Sequence, residues 1–370
     1  MIVLKGPQDQ LLSALQSVAG IVEKRHTLPI LANVLLRREG DEVEFITSDL
    51  EIQVRTRAKF DGSSEPFAAT VQAKKLIDIL RSLPADQICS LSSSQAKLTL
   101  QAGKSRFTLQ TLPAEDFPLV QEAADFGPAF SVPQATLRGL ISQVHFAMAV
   151  HDIRFYLNGI LFVAEGNSLT LVATDGHRLA LAQATLDVTM PKQEVILPRK
   201  TVLELQRLLK DKDENAAIEM RFSGNQARFA FSGMEFVTKL VEGKFPDYNR
   251  VIPKNHRYQL VLGRAPLLAA LQRAAILTSE KFKAVRLSFA DHLLTIAASN
   301  AEQEEAKEEI EIDYDGEKIE TGFNVQYLTE VLANMPQEMV GLSLHDSASS
   351  ALFTMPERTD FKYVVMPMRI

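Results

Sequence analysis

The stretch TLVATDGHRLAL, residues 170–181, gathers Asp175, His177 and Arg178 around an Asp-Gly pair. A carboxylate beside an imidazole is the material of a general base, the carboxylate orienting the ring that takes a proton. Nucleophilic catalysis also needs an activated hydroxyl or thiol and a third group that orients the base. No such pair is visible beside His177. Asp-Gly is equally a good hairpin-turn dipeptide, because both residues tolerate positive φ. The stretches TSDLEIQV (47–54) and ASNAEQEE (298–305) carry a short polar residue at the same place between alternating runs. A slot that is polar every time is most simply a turn, and only the middle one adds His177 and Arg178. A hydrolase centred on Asp175 and His177, a bare hairpin and a binding surface are the three readings; the binding surface is preferred.

Other catalytic patterns fall by inspection. No two of the 17 glycines are separated by one residue or by three, which removes GxGxxG and GxSxG, and no GxxxxGK[ST] loop is present to cradle phosphates. The seven histidines show neither HExxH nor a zinc-finger spacing. A single cysteine, Cys89, excludes CxxC and an internal disulfide, and reads as a small half-buried hydrophobe. The carboxylate run EQEEAKEE (302–309) reads as a solvated face, not as two carboxylates placed across a cleft. No cofactor and no metal are expected.

The elements that must position these residues come in three passes. PQDQLLSALQSVAGIV (7–22), PQATLRGLISQVHFAM (133–148) and APLLAALQRAAILTSE (265–280) each show apolar residues at helical spacing after a short strand-like lead. Pro7, Pro133 and Pro266 sit where a helix would begin. Alternating strand pairs follow at 42–58, 168–184 and 292–312, then second helices at 71–84, 197–211 and 323–336, then two closing strands. Four element types in the same order, three times, predict three tandem α+β units, each an antiparallel sheet with two helices on one face. Pro and Gly punctuate 122–130 and 251–259, giving expected domains of 1–125, 126–253 and 254–370.

Hydrophobic residues make up 46% of the chain, enough for real cores. The longest apolar stretch, LPILANVLL (28–36), is too short to span a bilayer. MIVLKGPQDQ lacks the basic-then-apolar order of a secretory leader, so a cytoplasmic protein is expected. The net charge of −6 argues against a nucleic-acid partner only if the charges are mixed evenly. They are not. Basic residues cluster in or beside the expected helices, whereas 302–320 holds ten Asp or Glu against Lys307 and Lys318. Helices sharing one side would make a positive surface inside an acidic molecule, suited to salt-sensitive contact with phosphates but not to base reading. Repeats along an arc, closed head-to-tail by a second copy, would turn that surface into a basic hole.

Whole-chain motifs add a resemblance. TLPIL (27–31), YLNGILF (156–162), ATDGHRLA (173–180), LPRK (197–200), KFPDY (244–248), AILTSEKF (275–282), EQEEA (302–306), GFNVQYL (322–328) and YVVMPMRI (363–370) together closely resemble the bacterial DNA polymerase III β-subunit family, the sliding clamps. The resemblance implies three tandem DNA-clamp domains with sheets outside and two helices per domain inside. It implies a homodimeric, ring-forming and non-enzymatic processivity factor around double-stranded DNA, with no membrane role. It also implies a peptide groove for the DNA polymerase III α subunit, the clamp loader δ subunit, translesion polymerases, and mismatch repair and ligase proteins.

Carried over residue by residue, the groove would comprise Leu157, Thr174, Gly176, His177, Arg178 and Leu179, a next wall of Pro246, Arg250 and Val251, and then Asn324, Tyr327, Ser350, Val364, Val365, Met366, Pro367, Met368 and Arg369. Leu, Val, Pro and Met would make a deformable apolar pocket, while His177, Arg178, Asn324 and Arg369 would meet the peptide's polar groups. Arg25, Lys74, His151, Phe155, Tyr156, Arg199 and Lys200 match DNA-facing positions. Relatives often carry Arg at Lys74, Gln at His151 and Tyr at Phe155. At the subunit interface Phe107, Leu109, Ile276 and Leu277 would form an apolar patch, and Lys75, Lys104 and Arg106 would meet Glu302, Glu304, Glu305 and Glu308, a stretch that Lys307 interrupts. A peptide-binding scaffold without DNA remains the other binding-class alternative.

Overall fold

The computed structural model describes residues 1–23, 28–210, 216–279 and 282–369. Its six α-helices among the described residues fall where the periodicity places them. They are α1 (Gln8–Val18), α2 (Ala73–Arg81), α3 (Gln134–Val144), α4 (Arg199–Leu208), α5 (Arg264–Ala275) and α6 (Val325–Asn334). Pro7 and Pro133 immediately precede α1 and α3, and Pro266 lies in the first turn of α5, where a missing N–H costs nothing. Each helix buries one stripe. On α2 that stripe is Ala73, Leu76, Ile77 and Leu80, with Lys74 and Lys75 left exposed. Burying Leu76 and Leu80 contributes about 1.5–3 kcal/mol each.

The chain forms two compact units, 1–135 with 203–240 and 136–202 with 241–370. The first holds a continuous run of twelve antiparallel strands. Within that run, Ser105–Leu112 pairs fully with Lys97–Ala102 but meets Phe67–Gln72 only through Thr111 and Leu112, so the rest of that side is unpaired. The second unit holds a six-stranded and a four-stranded sheet. The six-stranded sheet is built on a long hairpin, Gly159–Thr174 with Arg178–Pro198, followed by the last strand, Phe361–Val365. The four-stranded sheet ends at an edge strand, Glu305–Glu311, part of the acidic run expected to be a solvated face.

One expectation is corrected. Each repeat was expected to own its sheet, yet strands pair across repeat boundaries inside each unit. Met234–Lys239 of the second repeat pairs with Ile52–Lys59 of the first, and Arg178–Ala182 of the second pairs with Phe361–Val365 of the third. An unpaired edge leaves backbone donors and acceptors open, and joining repeats edge to edge satisfies them. Arg55, on Ile52–Lys59, reinforces the first junction through ion pairs with Glu235 and, at 3.5 Å, Glu122.

Candidate functional site

The hairpin turn is built by its own side chains. Asp175 Oδ1 accepts from the backbone N–H groups of His177 (2.9 Å) and Arg178 (3.1 Å), and Thr174 Oγ1 accepts from Gly176 N at 3.1 Å. Gly176 has φ +91°, and a Cβ there would lie 3.1 Å from the Arg154 guanidinium, so two constraints select glycine. The remaining Asp175 oxygen, Oδ2, accepts from Arg178 Nε at 3.1 Å. Both carboxylate oxygens are thus spent on the turn. The carboxylate orients the loop, not the His177 ring, and the hydrolase reading loses its relay.

Beside the turn lies a cavity of about 230 Å³. Buried Leu157, Leu179, Phe245 and Val364 form its floor, part of a cluster that includes Leu161, Val172 and Leu352. Tyr156, Pro246, Tyr248, Val251 and Met366 form the walls, and Arg154 and His177 the polar rim. Val251 and Met366 are about half exposed. An apolar floor with a few polar groups at the mouth fits the hydrophobic end of a peptide. The chain's last residues belong to the same construction. Met366 N donates to His177 O at 2.9 Å and Met368 N to Gly322 O at 2.7 Å, so the tail is laced to the hairpin and then to the neighbouring sheet.

The residues expected in the groove divide. Leu157, Thr174, Gly176, His177, Arg178, Leu179, Pro246, Val251, Val364 and Met366 meet around this cavity. Arg250 stands outside it, paired with Asp247 at 2.9 Å. Asn324 caps α6, its Oδ1 accepting from Gln326 N at 2.9 Å. Tyr327 lies on α6 under the Arg178 guanidinium, 4.3 Å from ring centroid to Cζ. Val365 is fully buried, and Ser350 precedes the strand Ala351–Thr354. Pro367 and Met368 lie along the tail, and Arg369 lines a different hollow with Phe282, Arg286 and Lys307. Arg178 is the main correction. Expected at the surface to meet a peptide, its side chain is 7% exposed and its donors are turned inward to Asp175, Glu330 and the carbonyl of Phe146. Burial opposes its charge, but Tyr363, Glu330 and Asp175 together hold its pKa above the ordinary arginine value.

Sequence reasoning missed Arg154, Phe245 and Tyr248 as lining residues. Phe245 and Tyr248 flank Pro246 inside KFPDY, where an aromatic on either side of a proline was the available signal. Arg154 chelates Asp152 through Nε (3.0 Å) and Nη2 (2.8 Å), drawing the Asp152 carboxyl down to about 2.

The DNA-facing set is also split. Arg25 lies outside the described residues. Lys74 is exposed on α2 and pairs with Asp78 at 2.8 Å. His151 takes φ +54°, and Phe155 is 72% exposed on the same loop. That loop is tied to the start of α4, where Arg199 N donates to Asn158 O at 2.9 Å, which sets Arg199 and Lys200 beside it. Burial, with the Arg178 charge next, lowers the Arg199 pKa. Tyr156, expected to face DNA, packs on the groove's apolar cluster instead, because its ring finds a dry partner there.

Of the interface set, Lys104 and Arg106 are exposed, and Phe107 and Leu109 half-buried, at and along the open side of Ser105–Leu112. Lys75 is exposed on α2. Just beyond α5, Ile276 is 76% exposed, and Leu277 is half-buried beside it. Glu302, Glu304 and Glu305 are exposed. Glu308 departs from the expectation of a partner-facing carboxylate. Arg273 holds both its oxygens at 2.8 and 2.6 Å, because α5 packs beside that strand, and this pairing lowers its pKa.

Models of the DNA polymerase III beta subunit match the chain in three consecutive parts: N-terminal domain at 5–121, central domain at 131–247 and C-terminal domain at 249–369. The chain is 46% identical to the beta sliding clamp of Pseudomonas aeruginosa over 369 residues, with 98% of each chain covered. It is 41% identical to that of Escherichia coli, again with 98% of each covered. Among solved structures it matches the P. aeruginosa DNA polymerase III subunit beta at TM-score 0.93 and 44% identity over all of both chains. The Caulobacter crescentus pol III beta matches at TM-score 0.90 and 37% identity, again over all of both chains. The expected fold of three tandem clamp domains is the one these structures share.

Proposed function

We infer, because the chain belongs to the DNA polymerase III beta-subunit family of sliding clamps, that two copies close head-to-tail into a ring around duplex DNA and tether replication and repair proteins to it. The observation that carries this reading is a pair of complementary open strand edges. Ser105–Leu112 offers a basic and apolar edge through Lys104, Arg106, Phe107 and Leu109, and Glu305–Glu311 offers an acidic one near Ile276 and Leu277. Each edge of one copy can pair with the opposite edge of the other, which closes by two-fold symmetry and leaves neither of these two edges open. Lys75 adds to the basic side, and Glu302, Glu304 and Glu305 to the acidic side. The domains run 1–125, 126–253 and 254–370.

The protein works in the cytoplasm as an accessory subunit with no catalytic site. Lys74, His151, Phe155, Arg199 and Lys200 face the phosphates, which are read without regard to sequence. The cavity beside the hairpin takes the apolar end of a short peptide from the polymerase α subunit, the loader δ subunit, translesion polymerases and repair proteins. One deformable pocket walled by Met366, Val251 and two tyrosines suits several partners. Among the described residues no helix is long and apolar enough to cross a membrane.

Reversing two cations tests the DNA arm against the scaffold reading. The double variant Arg199→Glu and Lys200→Glu is expected to weaken binding to a short duplex more than about tenfold at low salt and to flatten its salt dependence. Its affinity for a polymerase tail peptide stays unchanged. Unaltered duplex binding with unaltered salt slope, measured by fluorescence anisotropy, is the behaviour of a peptide scaffold that ignores DNA.

A further inference from the structure

Arg178 joins three elements through three different nitrogens. Nε reaches Asp175 in the hairpin turn, Nη2 reaches the carbonyl of Phe146 at 2.6 Å in the turn His145–Ala147, and Nη1 reaches Glu330 on α6. Its plane also covers the ring of Tyr327, one turn before Glu330 on the same helix. Glu330 is itself held. Its Oε1 accepts from Gln326 Nε2 at 2.7 Å, and Gln326 Oε1 accepts from Lys283 Nζ at 2.7 Å. Tyr363, on the last strand, donates to the Tyr327 carbonyl at 2.9 Å. Glu330 does not line the cavity, and nothing in the sequence motifs singles it out.

A buried guanidinium stays where its anions are, since leaving one unpaired is costly. Asp175 moves with the turn and cannot by itself fix the turn against α6. Glu330 can, because it belongs to the other side. Resting on the reading of this cavity as a peptide groove, we infer that Glu330 is the positioning residue that locks the hairpin to α6 through Arg178. The apolar pocket is thereby presented to a peptide with its hairpin side preformed against α6. Preorganisation of this kind appears as affinity, because the peptide is spared the cost of ordering the walls.

The test uses the whole protein, the C-terminal ten-residue peptide of the cognate replicative polymerase, and the variants Glu330→Gln and Glu330→Asp. Glu330→Gln keeps the shape but removes the charge and replaces one of the two accepting oxygens, which face Arg178 and Gln326, with a donor. It is expected to lose about tenfold in peptide affinity at 25 °C, and Glu330→Asp to recover part of that loss. Amide hydrogen exchange at Gly176 and His177, across Arg178 from the substitution, accelerates in Glu330→Gln. A role confined to stability would lower the melting temperature and leave both readouts unmoved well below it. Parent-like affinity and parent-like exchange in Glu330→Gln overturn the positioning role while leaving the groove standing. Failure of the parent protein to bind the peptide overturns the groove reading and this inference with it.

Discussion

Removing the last five residues, MPMRI, is expected to weaken binding of a polymerase tail peptide by more than about a hundredfold, roughly 2.7 kcal/mol, while leaving the dimer intact. Met366 is one wall of the cavity, and its N–H to the His177 carbonyl is the bond that brings the tail against the turn. Without it, Leu179 and Val364 lose the side chain that narrows the mouth above them, and the pocket becomes an open shelf. The next link, Met368 to Gly322, is lost in the same step. The sheet beneath survives, because Phe361–Val365 ends before the cut and remains paired on both sides. Isothermal titration calorimetry gives the affinity, and sedimentation confirms the dimer. A truncated protein that binds the peptide normally would remove the tail from the groove.

The second large effect concerns the apolar side of the proposed contact. Ile276→Ala with Leu277→Ala should convert the protein to monomers at micromolar concentration. Ile276 is three-quarters exposed in the single chain, at a place where a large aliphatic has no local reason to stand in water. Burying both side chains against Phe107 and Leu109 of the partner contributes about 3 kcal/mol. A two-fold ring contains that contact twice, so the variant loses both at once. The surrounding ion pairs do not compensate, because partly exposed pairs contribute about 0–1 kcal/mol and Glu308 is already engaged by Arg273. Sedimentation velocity showing an unchanged dimer would place the interface elsewhere.

The helices were legible in the sequence because their information is local. The stripe Ala73, Leu76, Ile77 and Leu80 repeats at helical spacing, and the prolines mark where α1, α3 and α5 begin. The Asp175-Gly176 turn was legible for the same reason. Strand partnership across repeats was not, because nothing in Met234–Lys239 names Ile52–Lys59 as its neighbour; the pairing is set by edges that only the folded chain brings together. Arg178 was misread because an arginine in a turn ordinarily points to water. Its burial depends on Asp175, Glu330 and the Phe146 carbonyl converging from three separate segments. Glu308 was misread for a similar reason, its partner lying on α5, 35 residues away. The apolar pocket was legible in part: Leu179 and Val364 sit on strands with a clear pattern, whereas Leu157, Phe245 and Tyr248 come from loops and short turns without one.

Topological retention is the most direct test of the ring. The protein is loaded onto a nicked circular plasmid by its cognate loader and washed in high salt, and the plasmid is then linearised. Salt screens phosphate contacts but cannot open a closed ring. Survival on the circle followed by loss on cutting is the predicted result. Salt-sensitive loss from circle and linear DNA alike, with the loader shown active on a known clamp, would mean ordinary charge binding and would contradict encirclement.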